Sequence, residues 1–344
     1  MRYRLLGKSG LRVSELCLGT MTFGEDWGWG SSKDESRQVL DAFFEAGGNF
    51  IDTANIYTNG TSESLLGEFL KGDRDRAVLA TKYTNAMPGT DPNAGGNQRK
   101  NMVRSVEASL KRLRTDYIDL YWLHIWDKVT PIDEVMRAFD DLVTQGKILY
   151  AGVSDMPAWA VARANTLAEL RDWTPFVGLQ IEYSLIERTV ERELLPMAEA
   201  MGLGVTAWSP LAGGVLTGKY AQGKADADAR MNSEMMKGYN RADERAKAVV
   251  AEVQAVAREV GRSPAQVALA WLRQRPVSVI PIVGARRLEQ FRDNLACLDL
   301  KLHGSQVDRL DSASHVELGF PHDFYARDLV KGLVYGGMRD QIDV

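Results

Sequence analysis

Eight short apolar runs alternate with helix-like stretches through most of the 344 residues of this chain. The alternation predicts parallel sheet, and eight repeats of it predict an α/β fold closed into a (β/α)8 TIM barrel. A second observation agrees. Polar residues suited to proton transfer close three successive runs, and the C-terminal strand ends are where such a barrel carries its active site.

The elements follow in order. Residues 4–13, RLLGKSGLRV, read as a β-hairpin turning at Gly7 and Gly10 and placed to cover the barrel floor. The barrel strands then end near Gly19 (SELCLG), Asp52 (NFID), Lys82 (AVLATK), His124 (YIDLYWLH), Ser154 (YAGVS), Glu182 (VGLQIE), Trp208 (GVTAW) and Ile282 (VSVIPI). Helix-like segments cover 32–46, 62–70, 100–113, 132–145, 157–171, 190–201 and 241–260. Apolar residues recur at helical spacing from Ser105 to Leu113, and Gly146 follows Gln145 where a left-handed cap is wanted. The stretch 210–240 is rich in Gly and polar residues without a period, and loops of that length are usually functional or disordered. Extra helices are expected at the C-terminus. No linker, low-complexity tract or boundary interrupts the chain, so residues 1–344 are expected to form one domain.

Composition bounds the function. Hydrophobic residues make up 45% of the chain, ample for a large core. The net charge of −4 provides no electrostatic footprint for nucleic acid. No run approaches ~18 apolar residues, so no membrane span is expected. The opening MRYRLLGKSGLRVS lacks the apolar stretch of a signal peptide. Cys17 and Cys297 show no redox or metal spacing and suit a reducing cytoplasm, where the sequon at Asn59 would stay unused. His124, His303, His315 and His322 are scattered, so no metal site is expected. Nothing in the sequence specifies a subunit count.

Asp52, Tyr57, Lys82 and His124 make chemical sense together. An ammonium beside a phenol favours phenolate and lowers the tyrosine pKa from its reference near 10. The carboxylate keeps the lysine charged, and the imidazole can hydrogen-bond a substrate oxygen. Period-two side chains put Phe50 with Asp52, Val78 and Ala80 with Lys82, and Ile118, Leu120 and Trp122 with His124. One polar strand end could be a mere terminator, but three coincident ends and a nearby tyrosine point to a site.

With those residues stand LGTMTFG, FIDTANIYTNGTSESLLG, ATKY, DYIDLYWLH, GKILYAGVSD, LQIEYS, AWSPLAGGVLTGKY and PIVGARRLEQFRDNL, spread from about Arg4 to Asn294. Together they resemble the aldo-keto reductase family, including its branch related to potassium-channel β subunits. The resemblance implies an NADP(H)-dependent barrel, with NAD(H) as a possible second cofactor, that reduces a small-molecule aldehyde or ketone. It implies that Tyr57 is the general acid, with Lys82 and Asp52 supporting it and His124 orienting the carbonyl. It places Ser154, Asp155 and Gln180 at the nicotinamide carboxamide and stacks Trp208 on the ring. Asp155 stands where the family often has Asn, and an Asp can accept from the amide NH2 but cannot donate to its oxygen.

No GxGxxG follows a strand, so a Rossmann site is not indicated. GGVLTGK nearly spells a P-loop, but Tyr220 replaces the Ser or Thr that would hold Mg²⁺. The resemblance instead lays Ser209, Pro210, Leu211, Gly213 and Lys219 along the pyrophosphate, and Gly284, Arg286, Gln290, Asp293 and Asn294 around the adenosine end. A guanidinium suits a 2′-phosphate, so Arg286 leans the reading toward NADP, whereas Arg287 reads as solvated. Trp27 and Trp29 follow the first strand and could wall a pocket for an apolar or ring-shaped carbonyl compound, or serve only as loop anchors. Two rivals stand beside this reading. One is a regulatory, channel-β-subunit-like protein, which would lack the histidine at the fourth strand end. The other is a Schiff-base aldolase using Lys82, which would need that lysine neutral.

Overall fold

The structure, a computed structural model, describes residues 1–86, 89–220 and 243–342. Strands β1 (Tyr3–Leu5) and β2 (Arg12–Ser14) pair antiparallel with Arg4 opposite Val13, as the hairpin pattern predicts. Strands β3 (Cys17–Gly19), β4 (Phe50–Asp52), β5 (Val78–Tyr83), β6 (Ile118–Leu123), β7 (Ile148–Ser154), β8 (Phe176–Glu182), β9 (Gly204–Trp208) and β10 (Val279–Val283) follow. They pair in parallel, each with the next, and β10 closes on β3. Each strand therefore ends within one residue of its expected position.

The barrel interior is filled by side chains. Leu6, Cys17, Phe50, Val78, Ala80, Leu120, Trp122, Ile280 and Ile282 form one inner cluster. Ile118, expected on the same face as Trp122, packs at the foot of β6 with the outer layer instead. Trp122 is fully buried, and Gly152 and Gly178 on the next two strands make room for it. A Cβ at Gly152 would lie 2.3 Å from the indole. The hairpin closes the floor by inserting Leu6. Gly7 adopts φ +58, and a Cβ there would meet backbone atoms of Val177, Gly202 and Gly204 at 2.4–2.7 Å.

Helices α1 (Lys33–Glu45), α2 (Thr61–Phe69), α3 (Arg99–Leu113), α4 (Ile132–Thr144), α5 (Ala158–Arg171) and α6 (Leu194–Met201) connect successive strands up to β9. Ser32 caps α1 by accepting from the Glu35 N–H, and Asp34 and Glu35 favour the positive end of the helix dipole. Helix α4 ends at Gln145, with Gly146 at φ +71. Between β9 and β10 lie α7 (Glu244–Val260) and α8 (Pro264–Arg273), the second absent from the sequence reading. The expected loop at 210–240 passes outside the described residues beyond Tyr220, as do the first two residues of the expected helix at 241–260. Helices α9 (Leu288–Leu295), α10 (Gly304–Ala313), α11 (His322–Tyr325) and α12 (Asp328–Tyr335) complete the chain. Among the described residues no helix is long and apolar enough to cross a membrane.

Candidate active site

The strand ends place Asp52 and Lys82 side by side in the upper barrel. Both are buried, and they pair directly, Lys82 Nζ to Asp52 Oδ2. The same ammonium donates to the Thr53 carbonyl at 2.7 Å and to the Tyr57 hydroxyl at 3.1 Å. All three of its protons are thereby used. Burial works to lower the Lys82 pKa, but the charges of Asp52 and Tyr57 outweigh it and hold the ammonium above its usual value. The other Asp52 oxygen, Oδ1, accepts from Gln180 Nε2 at 3.0 Å.

Tyr57 opens a tight turn. Thr58 at φ 45, Asn59 at φ 54 and Gly60 at φ 93 are consecutive left-handed residues, a costly path for the first two. Thr58 Oγ1 donates to the Phe23 carbonyl at 2.7 Å and accepts from the Ser62 N–H at 3.1 Å. These bonds hold the turn that aims Tyr57 back over the barrel.

His124 lies one residue past β6, its ring edge-on to Tyr57 at 6.0 Å between centroids. Burial, then the Lys82 charge, pushes its pKa well below 6.5, so the imidazole is neutral. Asn85 Nδ2 lies 3.1 Å from His124 Nδ1. The amide donates, Nδ1 accepts, and the ring proton is left on Nε2. Asn55 Nδ2 donates in turn to the Asn85 carbonyl at 3.1 Å. The sequence reading did not single out Asn85. Its only sequence signal is its position three residues past Lys82 on the same strand-end loop.

A cleft of about 690 Å³ opens above this cluster. Tyr57, Asp52 and His124 form its floor, and Lys82 sits behind them, outside the lining. The predicted cofactor set all reaches the cleft: Ser154, Asp155, Gln180, Trp208, Ser209, Pro210, Leu211, Gly213, Lys219, Gly284, Arg286, Gln290, Asp293 and Asn294. Three of them also do something else. Gln180 anchors Asp52. Asp293 accepts from Ser263 Oγ and Gln266 Nε2, both at 2.7 Å, which ties α9 to the start of α8. Asp155, held at φ 47, accepts from Trp208 Nε1 at 3.1 Å. Burial among its neighbours raises the Asp155 pKa, the Trp208 hydrogen bond opposes it, and the result is about 6, although the residue is exposed at the edge of the cleft. Trp27 and Trp29 line the opposite wall, 5.6 Å apart, with Trp27 edge-on to Tyr57 at 6.5 Å.

Several features of the cleft could hold a dinucleotide. Ser154 Oγ and Ser209 Oγ are buried and make no hydrogen bond among the described residues. Gly214 at φ +93 leaves space over which Lys219 folds, its Cε 3.0 Å from where a Cβ would stand. Among the described residues no group of His, Cys, Asp and Glu could hold a metal ion.

The profile of the aldo/keto reductase family matches residues 15–315. The chain belongs to that family. Membership makes it an oxidoreductase on a (β/α)8 barrel. It is 38% identical to the norsolorinic acid reductase of Aspergillus flavus over 94% of this chain and 83% of that protein. It is also 38% identical to the aryl-alcohol dehydrogenase [NADP(+)] of Phanerodontia chrysosporium, over 93% and 88%. It is 40% identical to the uncharacterized oxidoreductase YrpG of Bacillus subtilis, over 88% and 92%. The family profile extends past Asn294, where the sequence motifs end, to the close of α10.

Proposed function

We propose that this aldo/keto reductase interconverts an aromatic aldehyde or ketone and its alcohol, using NADP(H). The observation that carries the reading is the Lys82 ammonium shared between Asp52 and the Tyr57 hydroxyl at the floor of the cleft. A nicotinamide cofactor bound in the cleft supplies the hydride. Tyr57 Oη donates the proton to the carbonyl oxygen, and Lys82 stabilises the phenolate left behind. Asp52, steadied by Gln180, keeps Lys82 charged. That charge also argues against a Schiff-base role, which needs a neutral amine. Neutral His124 offers its Nε2–H to the same carbonyl oxygen and fixes its direction. Ser154 and Gln180 would receive the carboxamide, Lys219 the pyrophosphate and Arg286 a 2′-phosphate, a planar fork well suited to that group. Arg287 is exposed at the N-cap of α9.

The aromatic substrate class rests on two supports. Trp27 and Trp29 line the cleft and Trp27 packs against Tyr57, and aromatic pairs are worth about 0.5–1.5 kcal/mol beyond their buried area. The name of the relative from P. chrysosporium, an aryl-alcohol dehydrogenase, points to aryl compounds as well. The test is NADPH oxidation against a panel of benzaldehydes, aryl ketones, aliphatic aldehydes and sugars. Turnover with the aryl set at the highest kcat/KM is expected. Preference for sugars or short aliphatics would remove the aromatic assignment, and no turnover with any carbonyl would remove the reductase reading.

A further inference from the structure

The C-terminal arm, residues 320–342, is built unlike the rest of the surface. Phe320, Phe324, Tyr325, Leu329, Leu333, Val334, Tyr335, Met338 and Ile342 are all at least 39% exposed. With ordinary areas for such side chains they present on the order of 1,000 Å² of apolar surface, more than the ~300–600 Å² of the largest patch on a typical monomer. Helix α12 buries only Val330. Eight residues are too few to stay helical in water without packing, so this arm needs a covering surface.

We propose that the arm is a two-fold interface with a second copy of this chain. The area suits it: a standard interface takes about 800 Å² from each partner. The charges suit it too. Asp323, Arg327, Asp328 and Lys331 run in alternating sign, so an arm laid antiparallel on its own copy can set Asp323 against Lys331 and Arg327 against Asp328. Balanced charge argues against a membrane surface, which selects for excess Lys and Arg. The root of the arm is fixed to the barrel: Arg192 donates to the Glu317 carbonyl at 3.1 Å, and Arg245 to the Ser314 carbonyl at 2.8 Å. The arm is thus presented by the body rather than trailing from it. None of its residues lines the candidate active site, so the proposal stands apart from the reductase reading.

Sedimentation velocity on the full chain tests it. The expected species has twice the 38.2 kDa chain mass at micromolar concentration. Leu329→Ser with Leu333→Ser should shift it to monomer, with at least a tenfold weaker dimer and a circular dichroism spectrum that loses no more than the helical signal of the arm. If that variant does not fold, Arg327→Glu with Lys331→Glu serves instead. It should weaken the dimer at least tenfold, and mixing it with Asp323→Lys plus Asp328→Lys should restore a dimer. A wild-type monomer at 100 µM overturns the proposal. So does a dimer indifferent to the leucine and charge substitutions, or a monomer that floats with phosphatidylcholine–phosphatidylserine vesicles through this arm.

Discussion

At His124 the important partner is Asn85, because it decides which ring nitrogen carries the proton. Replacing Asn85 by Asp would put an acceptor against Nδ1, draw the proton there and leave Nε2 with a lone pair facing the carbonyl. Asn85→Asp should therefore lower kcat by roughly 10-fold or more, the effect of losing one charge-directing hydrogen bond of about 1.5 kcal/mol. NADPH affinity should be unchanged, and ¹⁵N chemical shifts of the imidazole would report the tautomer. A second residue-scale prediction concerns Tyr57→Phe. It should cost about 10²–10⁴-fold in turnover, the usual worth of a general acid, while NADPH still binds. Near-normal turnover by a folded Phe variant would show that the proton comes from elsewhere. A third follows from Asp155. Its folded pKa is raised from 3.8 to about 6, so the folded state holds the proton more tightly than the unfolded chain does. The stabilisation is full below about 4 and is lost as pH rises toward about 6. Melting temperatures of wild type and Asp155→Asn, compared from pH 4 to 8, should diverge across that window and run parallel above it. Tryptophan fluorescence should change over the same range, because the Asp155 carboxylate holds the Trp208 indole. Parallel curves throughout would mean that solvent at the open edge keeps Asp155 an ordinary carboxyl.

At the scale of the element, the hairpin offers a matched pair of glycines. Gly7 is left-handed and has backbone on three sides, whereas a Cβ at Gly10 would meet nothing within 4 Å. Gly7→Ala should destabilise the protein by more than the ~1–2 kcal/mol of left-handed strain alone, since backbone atoms cannot move aside cheaply. Gly10→Ala should be nearly neutral. Chemical denaturation of the two variants would separate them, and equal effects would mean that the hairpin does not seal the floor. Elements were legible in the sequence where polarity marks their ends. Asp52, Lys82 and His124 each stop an apolar run, and β4, β5 and β6 end within one residue of them. Helix α8 was not legible because Ala265 to Leu272 are buried all round, which erases the period that marks an amphipathic helix. The contact between Gln180 and Asp52 was hidden for another reason. It joins β8 to β4 across the barrel mouth, a neighbourhood with no counterpart in residue spacing.

For the whole molecule, the proposed catalytic cluster is also part of the core. Asp52 is 2% exposed and Lys82 fully buried, so the pair sits where strands from around the barrel converge. Asp52→Asn leaves a buried ammonium without its carboxylate, and breaking such a pair typically costs ~3–5 kcal/mol. Lys82→Met keeps much of the volume but removes the charge beside Tyr57. Activity near neutrality should collapse in both variants, and the Lys82→Met pH–rate profile should shift upward. Thermal melts recorded beside the pH profiles would distinguish the two roles. Lower melting temperatures with an unmoved pH profile would leave the pair structural only, and the acidity of the site would need another source.

The β10–β3 seam joins parts of the chain that are made far apart in time. Thr22 Oγ1 donates to the Ala285 carbonyl and Ser31 Oγ to the Arg286 carbonyl, both at 2.9 Å across more than 250 residues. Glu35 on α1 also caps α9 by accepting from the Leu288 N–H. The loop bearing Trp27 and Trp29 is thus clasped to the loop bearing Arg286. During synthesis neither wall can be finished until β10 has left the ribosome, when most of the chain is already exposed. Contacts of such long range form slowly. A nascent or truncated chain lacking β10 would be unable to complete the cleft, however well its first seven barrel strands had formed.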